Sequence, residues 1–262
     1  MKNESETQRQ LLTFGLNTEQ AIKDCIGLLE PDNSIAYRAC VGLMTRLWKL
    51  YGSISRAIQQ NDGMASTILM RSFYETSLSL VYLLFHFKDD LFKEFVLTDA
   101  MRRRDLLDFL GSDKSGVMGE LVTRLEKSLK DDGYDETTLP KGHPGSWHRK
   151  ISYRKMAVGL GDIEAGVFSM AYGPSSRFVH PSWSEIMDWH LKESPDYMDM
   201  YVANLSAMPV NPISSTSMLI CISLTTCEIY AQRFNEGEEM FDRFKQMHST
   251  FHREFDSSQE LK

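Results

Sequence analysis

Arg71 and Glu75, four residues apart in Arg71-Ser-Phe-Tyr-Glu75, stand beside the most apolar stretch of the chain. So does the segment Tyr172-Gly-Pro-Ser-Ser-Arg-Phe-Val-His180-Pro-Ser-Trp183 beside its own aromatic residues. Arg71 cannot lose its proton and offers a fork of donors suited to phosphate or carboxylate. Glu75, on the same helical face at i+4, can orient either Arg71 or His180. Pro181 disfavours the α conformation at His180 and itself suits the first position of a helix, so His180 is expected at an N-cap. The positive end of a helix dipole disfavours an imidazolium, and a neutral His can serve as a general base. His180, Arg71 and Glu75 therefore form a candidate catalytic set for anion recognition and proton transfer. A structural reading stands beside it, in which Arg71 and Glu75 form a buried ion pair and His180 only caps its helix.

Other chemistry is sparsely signalled. His143, His148, His180 and His190 match no zinc spacing, and no E-x-x-H occurs, so neither a metal nor a cofactor is expected. There is no P-loop, no G-x-G-x-x-G and no G-x-S-x-G. The run Arg102-Arg103-Arg104 reads as a solvated helix face, with a short nucleic-acid contact as the alternative. Tyr74, Tyr82, Trp147, Tyr172 and Trp183 could line a cavity, although core packing is the commoner role of aromatic residues.

The elements that must position these groups are helical. Helical spacing of apolar residues is read over Thr18 to Leu29, Ile35 to Gln60, Met64 to Phe87, Asp89 to Leu110 and a polar, solvent-facing Gly116 to Lys130. Asp89-Asp90 is taken as the cap of the fourth helix. Asp131 to Lys150 is rich in Gly, Pro, Asp and Thr and is expected to be a long loop. Short helices are expected at Tyr153 to Leu160 and Ile163 to Tyr172, one from Pro181 to Leu191, and two long ones at Asn211 to Phe234 and Glu236 to Phe255. No β alternation exceeds a few residues. The reading is an all-α, antiparallel helical bundle forming a single domain over 1–262, with residues 131–196 as an irregular loop-and-short-helix appendage packed on it.

At 262 residues the chain can bury a core without disulfides or metals. Its 42% hydrophobic and 25% charged residues are those of a soluble globular protein. The apolar runs Leu80 to Phe85 and Met218 to Ile222 fall far short of the roughly 20 residues that cross a bilayer. The N-terminus lacks a signal-peptide core, so a cytoplasmic location and no membrane partner are expected. A formal charge of −7 argues against a broad grip on nucleic acid, which requires neutralised phosphates. Cys25, Cys40, Cys221 and Cys227 fall within helical apolar patterns and read as reduced core residues.

Leu69-Met-Arg71-Ser-Phe-Tyr-Glu75 with Leu-Ser-Leu-Val-Tyr82-Leu-Leu on one helix, then Trp147, Arg154-Lys-Met-Ala157, Tyr172 and Ser176-Arg-Phe-Val-His180-Pro-Ser182, resembles the bacterial domain-of-unknown-function 5677 family over about residues 35 to 235. The resemblance implies a helical bundle of bacterial, cytoplasmic origin and carries over Arg71, Glu75, Tyr172, Ser176 and His180. A more distant similarity is to HEPN domains, whose ribonuclease members place an Arg shortly before a His. Arg177 precedes His180 by three, a closer spacing than those nucleases have. That likeness implies a homodimer acting on RNA without metal, an Arg holding the scissile phosphate and His180 taking the 2′-hydroxyl proton. Tyr172, Ser176 and Arg177 would line the ligand, either RNA or a phosphate-bearing small molecule.

Overall fold

A computed structural model describes residues 4–111, 115–135, 139–140, 152–161, 191–193, 201–203, 206, 208, 210–234 and 238–255. The elements are α1 (Glu4–Ile26), α2 (Ile35–Gln59), α3 (Gly63–His86), α4 (Asp89–Leu110), α5 (Gly116–Asp131), α6 (Tyr153–Leu160), β1 (Leu191–Glu193), β2 (Tyr201–Ala203), α7 (Pro212–Phe234) and α8 (Glu238–Phe255). The fold is all-α. Among the described residues, one short antiparallel pair, with Lys192 opposite Val202, joins β1 to β2. Three-residue strands are too short to show an alternating pattern, and none was expected there.

The chain forms two compact units. One comprises Met1–Asn33, Tyr37–Phe85 and Tyr153–Lys262, the other Ser34–Ala36 and His86–Ser152. In the first unit α2 buries Cys40, Met44, Leu47, Tyr51, Ile54 and Ile58, a stripe at helical spacing. Tyr51 donates from its hydroxyl to the Gly15 carbonyl at 2.9 Å, and Trp48 Nε1 donates to Glu19 Oε1 at 3.2 Å, which sets α1 antiparallel to α2. A Cβ on Gly15 would lie 3.3 Å from that Tyr51 oxygen, a tight contact that would require the phenol to give by a few tenths of an ångström.

Asn61-Asp-Gly63 separates α2 from α3. Asn61 takes φ 55°, a conformation Asn tolerates better than most residues, and Asp62 Oδ1 accepts from Ala65 N at 2.9 Å as the N-cap of α3. α3 then runs back along α2, with Tyr51 edge-on to Phe73 and Arg46 Nε donating to Thr76 Oγ1 at 3.1 Å. Thirteen of its residues are buried, as its apolar composition requires.

α7 lies against α1 and α8. It is capped by Asn211, whose Oδ1 accepts from Ser214 N at 3.0 Å. By length and composition it could cross a membrane, which the sequence reading did not foresee, but 44% of its most apolar window is buried inside the fold. Ser77 on α3 and Thr226 on α7 share a buried hydrogen bond of 2.6 Å. Leu11, Ile220, Leu224 and Phe251 form an apolar cluster where α1, α7 and α8 meet, with Phe14 edge-on to Phe251.

In the second unit α4 packs on α5 through Ala100, Met101, Leu107, Val122, Leu129 and Leu139. α5 is therefore not purely solvent-facing; it buries Gly119, Val122 and Leu129. The N-cap of α4 is Lys88, which makes no side-chain cap bond, and Asp89 and Asp90 occupy the first turn, where the helix dipole favours their charge. Gly111, at φ 74°, ends α4 and donates to Leu107 O.

The Arg102-Arg103-Arg104 run is not a solvated face. Successive helical residues point about 100° apart, so three in a row cannot share one side. Arg104 is buried, bonded to Asp105 at 2.5 Å and to the Pro140 carbonyl. Arg103 reaches Asp99 at 2.9 Å, Ser128 at 2.7 Å and Asp132 at 2.6 Å, tying α4 to the end of α5. Only Arg102 of the three is exposed.

Candidate functional site

Arg71 and Glu75 meet as the sequence spacing requires. Arg71 Nε lies 3.0 Å from Glu75 Oε1, one turn further along α3, and the side chains are 13% and 28% exposed. The neighbours along the helix, Met70, Phe73, Tyr74 and Leu78, are buried. The pair is thus a partly desolvated charge pair on an apolar helix, with Glu75 fixing the direction of the guanidinium. His180, Tyr172, Ser176 and Arg177 lie outside the described residues, as do His143, His148 and His190.

The second unit holds a cavity of about 380 Å3 lined by Asp90, Lys93, Glu94, Thr98, Met101 and Tyr134 among others. Burial, followed by the Asp132 charge, pushes the Tyr134 phenol up.

A second constellation is built by α7 and α8. α8 is amphipathic, burying Phe244 and Phe251 and turning His248 and His252, one turn apart, to a common side. His252 Nε2 lies 3.0 Å from His248 Nε2, and the rings are 4.7 Å apart between centroids. Cys221 Sγ, on α7, lies 3.9 Å from His248 Nε2. The opposite nitrogen of His248, Nδ1, lies 3.1 Å from Glu228 Oε2. His248 is 19% exposed at its side chain and Glu228 23%.

These acceptors act together on His248, pushing it from 6.5 up to about 9. The Cys221 sulfur is the largest cause and Glu228 the next, while burial pulls the other way. The surroundings of the imidazole therefore favour a cation. Cys25, Cys40 and Cys227 are buried core thiols as expected, whereas Cys221 is only partly buried and faces this histidine pair.

The histidine pair of His248-Ser-Thr-Phe-His252 on the last helix is not among the residues singled out from the sequence. The available signal was the i, i+4 histidine spacing itself, which places both rings on one helical face. Cys221 stands 27 residues earlier on another helix, and nothing local ties it to them.

Two comparisons return nothing: no curated protein and no solved structure matches the chain. A family model described as a family of unknown function (DUF5677) matches residues 37–198, which includes Arg71, Glu75, Tyr172, Ser176 and His180 and ends before α7. The match covers more than half of the chain, which therefore belongs to this family of unknown function.

Proposed function

We propose that this protein binds a phosphate-bearing ligand through the α3 ion pair, with Arg71 supplying a fixed positive charge and Glu75 its orientation, and with RNA as the leading candidate. The observation that carries the reading is the Arg71–Glu75 contact of 3.0 Å at low exposure on an otherwise apolar helix. Apolar residues of similar volume would pack there without a desolvation cost, so a charged pair at this place suits recognition better than stability.

Tyr172, Ser176 and Arg177 complete the ligand site in this reading. In its catalytic form His180 takes the proton of the 2′-hydroxyl, as in a metal-independent, HEPN-like ribonuclease of a bacterial cytoplasm acting in defence or stress. The engagement of Arg103 and Arg104 within their own unit supports a local phosphate site over a broad basic surface.

The test is a titration of fluorescently labelled RNA, and separately of inorganic phosphate, against wild type and Arg71→Ala at low salt, with a gel of total RNA incubated in chelator with wild type and His180→Ala. Binding that Arg71→Ala abolishes supports the ligand site, and cleavage that His180→Ala abolishes supports the nuclease. Equal affinity of wild type and Arg71→Ala for both ligands overturns the reading.

A helical interaction module is the second reading, favoured by exposed apolar side chains in the second unit. Phe109 is 85% exposed and Val117 83%, with Leu106, Met118 and Leu121 also exposed on α4 and α5. A homodimer is the assembly it predicts, and sedimentation velocity of wild type against Phe109→Lys decides it.

A further inference from the structure

We propose that Cys221, His248 and His252 form a site for a divalent transition-metal ion, zinc foremost, oriented by Glu228. The site lies outside the family match and involves neither Arg71 nor Glu75.

The geometry supplies three donors converging on one point. Cys221 Sγ, His248 Nε2 and His252 Nε2 all lie within 4.8 Å of one another. Tetrahedral zinc, with bonds of about 2.0–2.1 Å to nitrogen and about 2.3 Å to sulfur, sets its ligand atoms about 3.3 Å (N to N) and about 3.6 Å (N to S) apart. The observed separations are 3.0 Å between the two Nε2 atoms and 3.9 Å from Sγ to His248 Nε2. The third separation, between Cys221 and His252, is bounded at 4.8 Å, so a side-chain rearrangement of up to about an ångström brings all three to the spacing tetrahedral zinc requires.

The roles of the two His248 nitrogens are separated by their partners. Glu228 Oε2, 3.1 Å from Nδ1, is placed to accept the Nδ1 proton; once a metal ion displaces the second proton of the imidazolium, the Nε2 lone pair is the one directed at Cys221 and His252. A carboxylate on the far nitrogen of a ligating histidine is the recurrent arrangement that fixes tautomer and ring direction in zinc sites. Two imidazole lone pairs and a sulfur brought this close repel one another unless a proton or a metal ion lies between them.

The supports are buried. Ile220, Leu224 and Phe251, immediate neighbours of the donors or one turn away, are buried in the α1–α7–α8 cluster. The i, i+4 spacing on α8 supplies two ligands from one helical face, and α7 supplies the third and the orienting carboxylate. The donor set, two imidazoles and one thiolate, suits zinc over magnesium or calcium, which take oxygen ligands. Three protein ligands with His252 exposed leave a fourth position open to water, the pattern of zinc centres that bind a water or a substrate.

The test loads the full chain, stripped with chelator under reducing conditions, with Zn2+ and then with Co2+. Zinc retained after gel filtration is counted by mass spectrometry of the metal, and the cobalt form is read for a thiolate-to-cobalt charge-transfer band. One ion per chain, a thiolate band, loss of both in Cys221→Ser, loss of stoichiometric binding in His252→Gln, and a 10–100-fold weaker affinity in Glu228→Gln are expected. His252→Gln sits at an exposed position, so its helical circular dichroism should equal that of wild type and separates ligation from folding. Substoichiometric zinc in the wild type, a cobalt spectrum without a thiolate band, or full binding retained in both Cys221→Ser and His252→Gln overturns the proposal.

Discussion

His252 Nε2 faces His248 Nε2 at 3.0 Å, while the other nitrogen of His248 faces Glu228 at 3.1 Å. One imidazole thus bridges a carboxylate of α7 and a second imidazole of its own helix, with the Cys221 sulfur alongside. Ordinary core packing does not require such convergence of donors. It gives α7 and α8 a polar junction beside their apolar one, and the two junctions make different predictions.

An ion bound at the first should stabilise the fold through linkage. At a free zinc concentration about 100 times Kd, the gain is about 2.7 kcal/mol, provided the unfolded chain does not bind. Thermal melts in zinc and in chelator should therefore separate for wild type and coincide for Cys221→Ser. Coincident wild-type melts would contradict this.

The apolar junction should behave additively and independently of metal. Phe251→Ala removes a buried ring from the cluster of Leu11, Ile220 and Leu224 and should cost about 3–5 kcal/mol in urea denaturation, with or without zinc.

The Arg71–Glu75 pair should be worth little to stability. Glu75 is over a quarter exposed, so solvent screens it, and a double-mutant cycle should give a coupling of about 1 kcal/mol or less. The double replacement Arg71→Met with Glu75→Leu should fold as stably as wild type while losing any anion affinity. A coupling of several kcal/mol would instead make the pair structural.

Among the consecutive arginines the effects should be unequal. Arg104→Ala leaves the Pro140 carbonyl and Asp105 without their buried partner and should cost about 1–3 kcal/mol, whereas Arg102→Ala should be close to neutral. Equal small effects would restore a solvated basic face.

Alkaline pH should unfold the protein in part through its thiols. Burial pushes Cys40 from 9.0 up to about 12, so between those values the unfolded chain binds fewer protons than the folded one. Stability is therefore unaffected by this group below about pH 9 and falls as pH rises above it. Cys40→Ala should flatten that slope, and Cys40 should resist thiol reagents in the native protein at pH 8 while the partly buried Cys221 reacts.

Much of the helical framework was legible because its signals are local. The apolar run of α3, the Asn61-Asp-Gly63 break before it and Gly111 after α4 place boundaries within a residue or two of those observed. The first helix, whose pattern is clear over Thr18 to Leu29 with a start before Leu11 left open, begins at Glu4, where few apolar residues mark it. Arg71 and Glu75 were legible as a pair for the same reason, since i, i+4 neighbours on one helix need no tertiary information. Cys221 and Glu228 were not, because only the packing of α7 on α8 brings them to His248. Arg103 and Arg104 were misread for want of the same knowledge, their partners Asp132 and Pro140 lying about 30 residues away.

The most direct measurement is X-ray absorption at the zinc edge on the zinc-loaded full chain. The account predicts one sulfur scatterer at about 2.3 Å and imidazole nitrogens at about 2.0–2.1 Å, with the sulfur shell lost in Cys221→Ser. A shell of oxygen and nitrogen alone, unchanged by that substitution, would place the ion elsewhere and contradict the account.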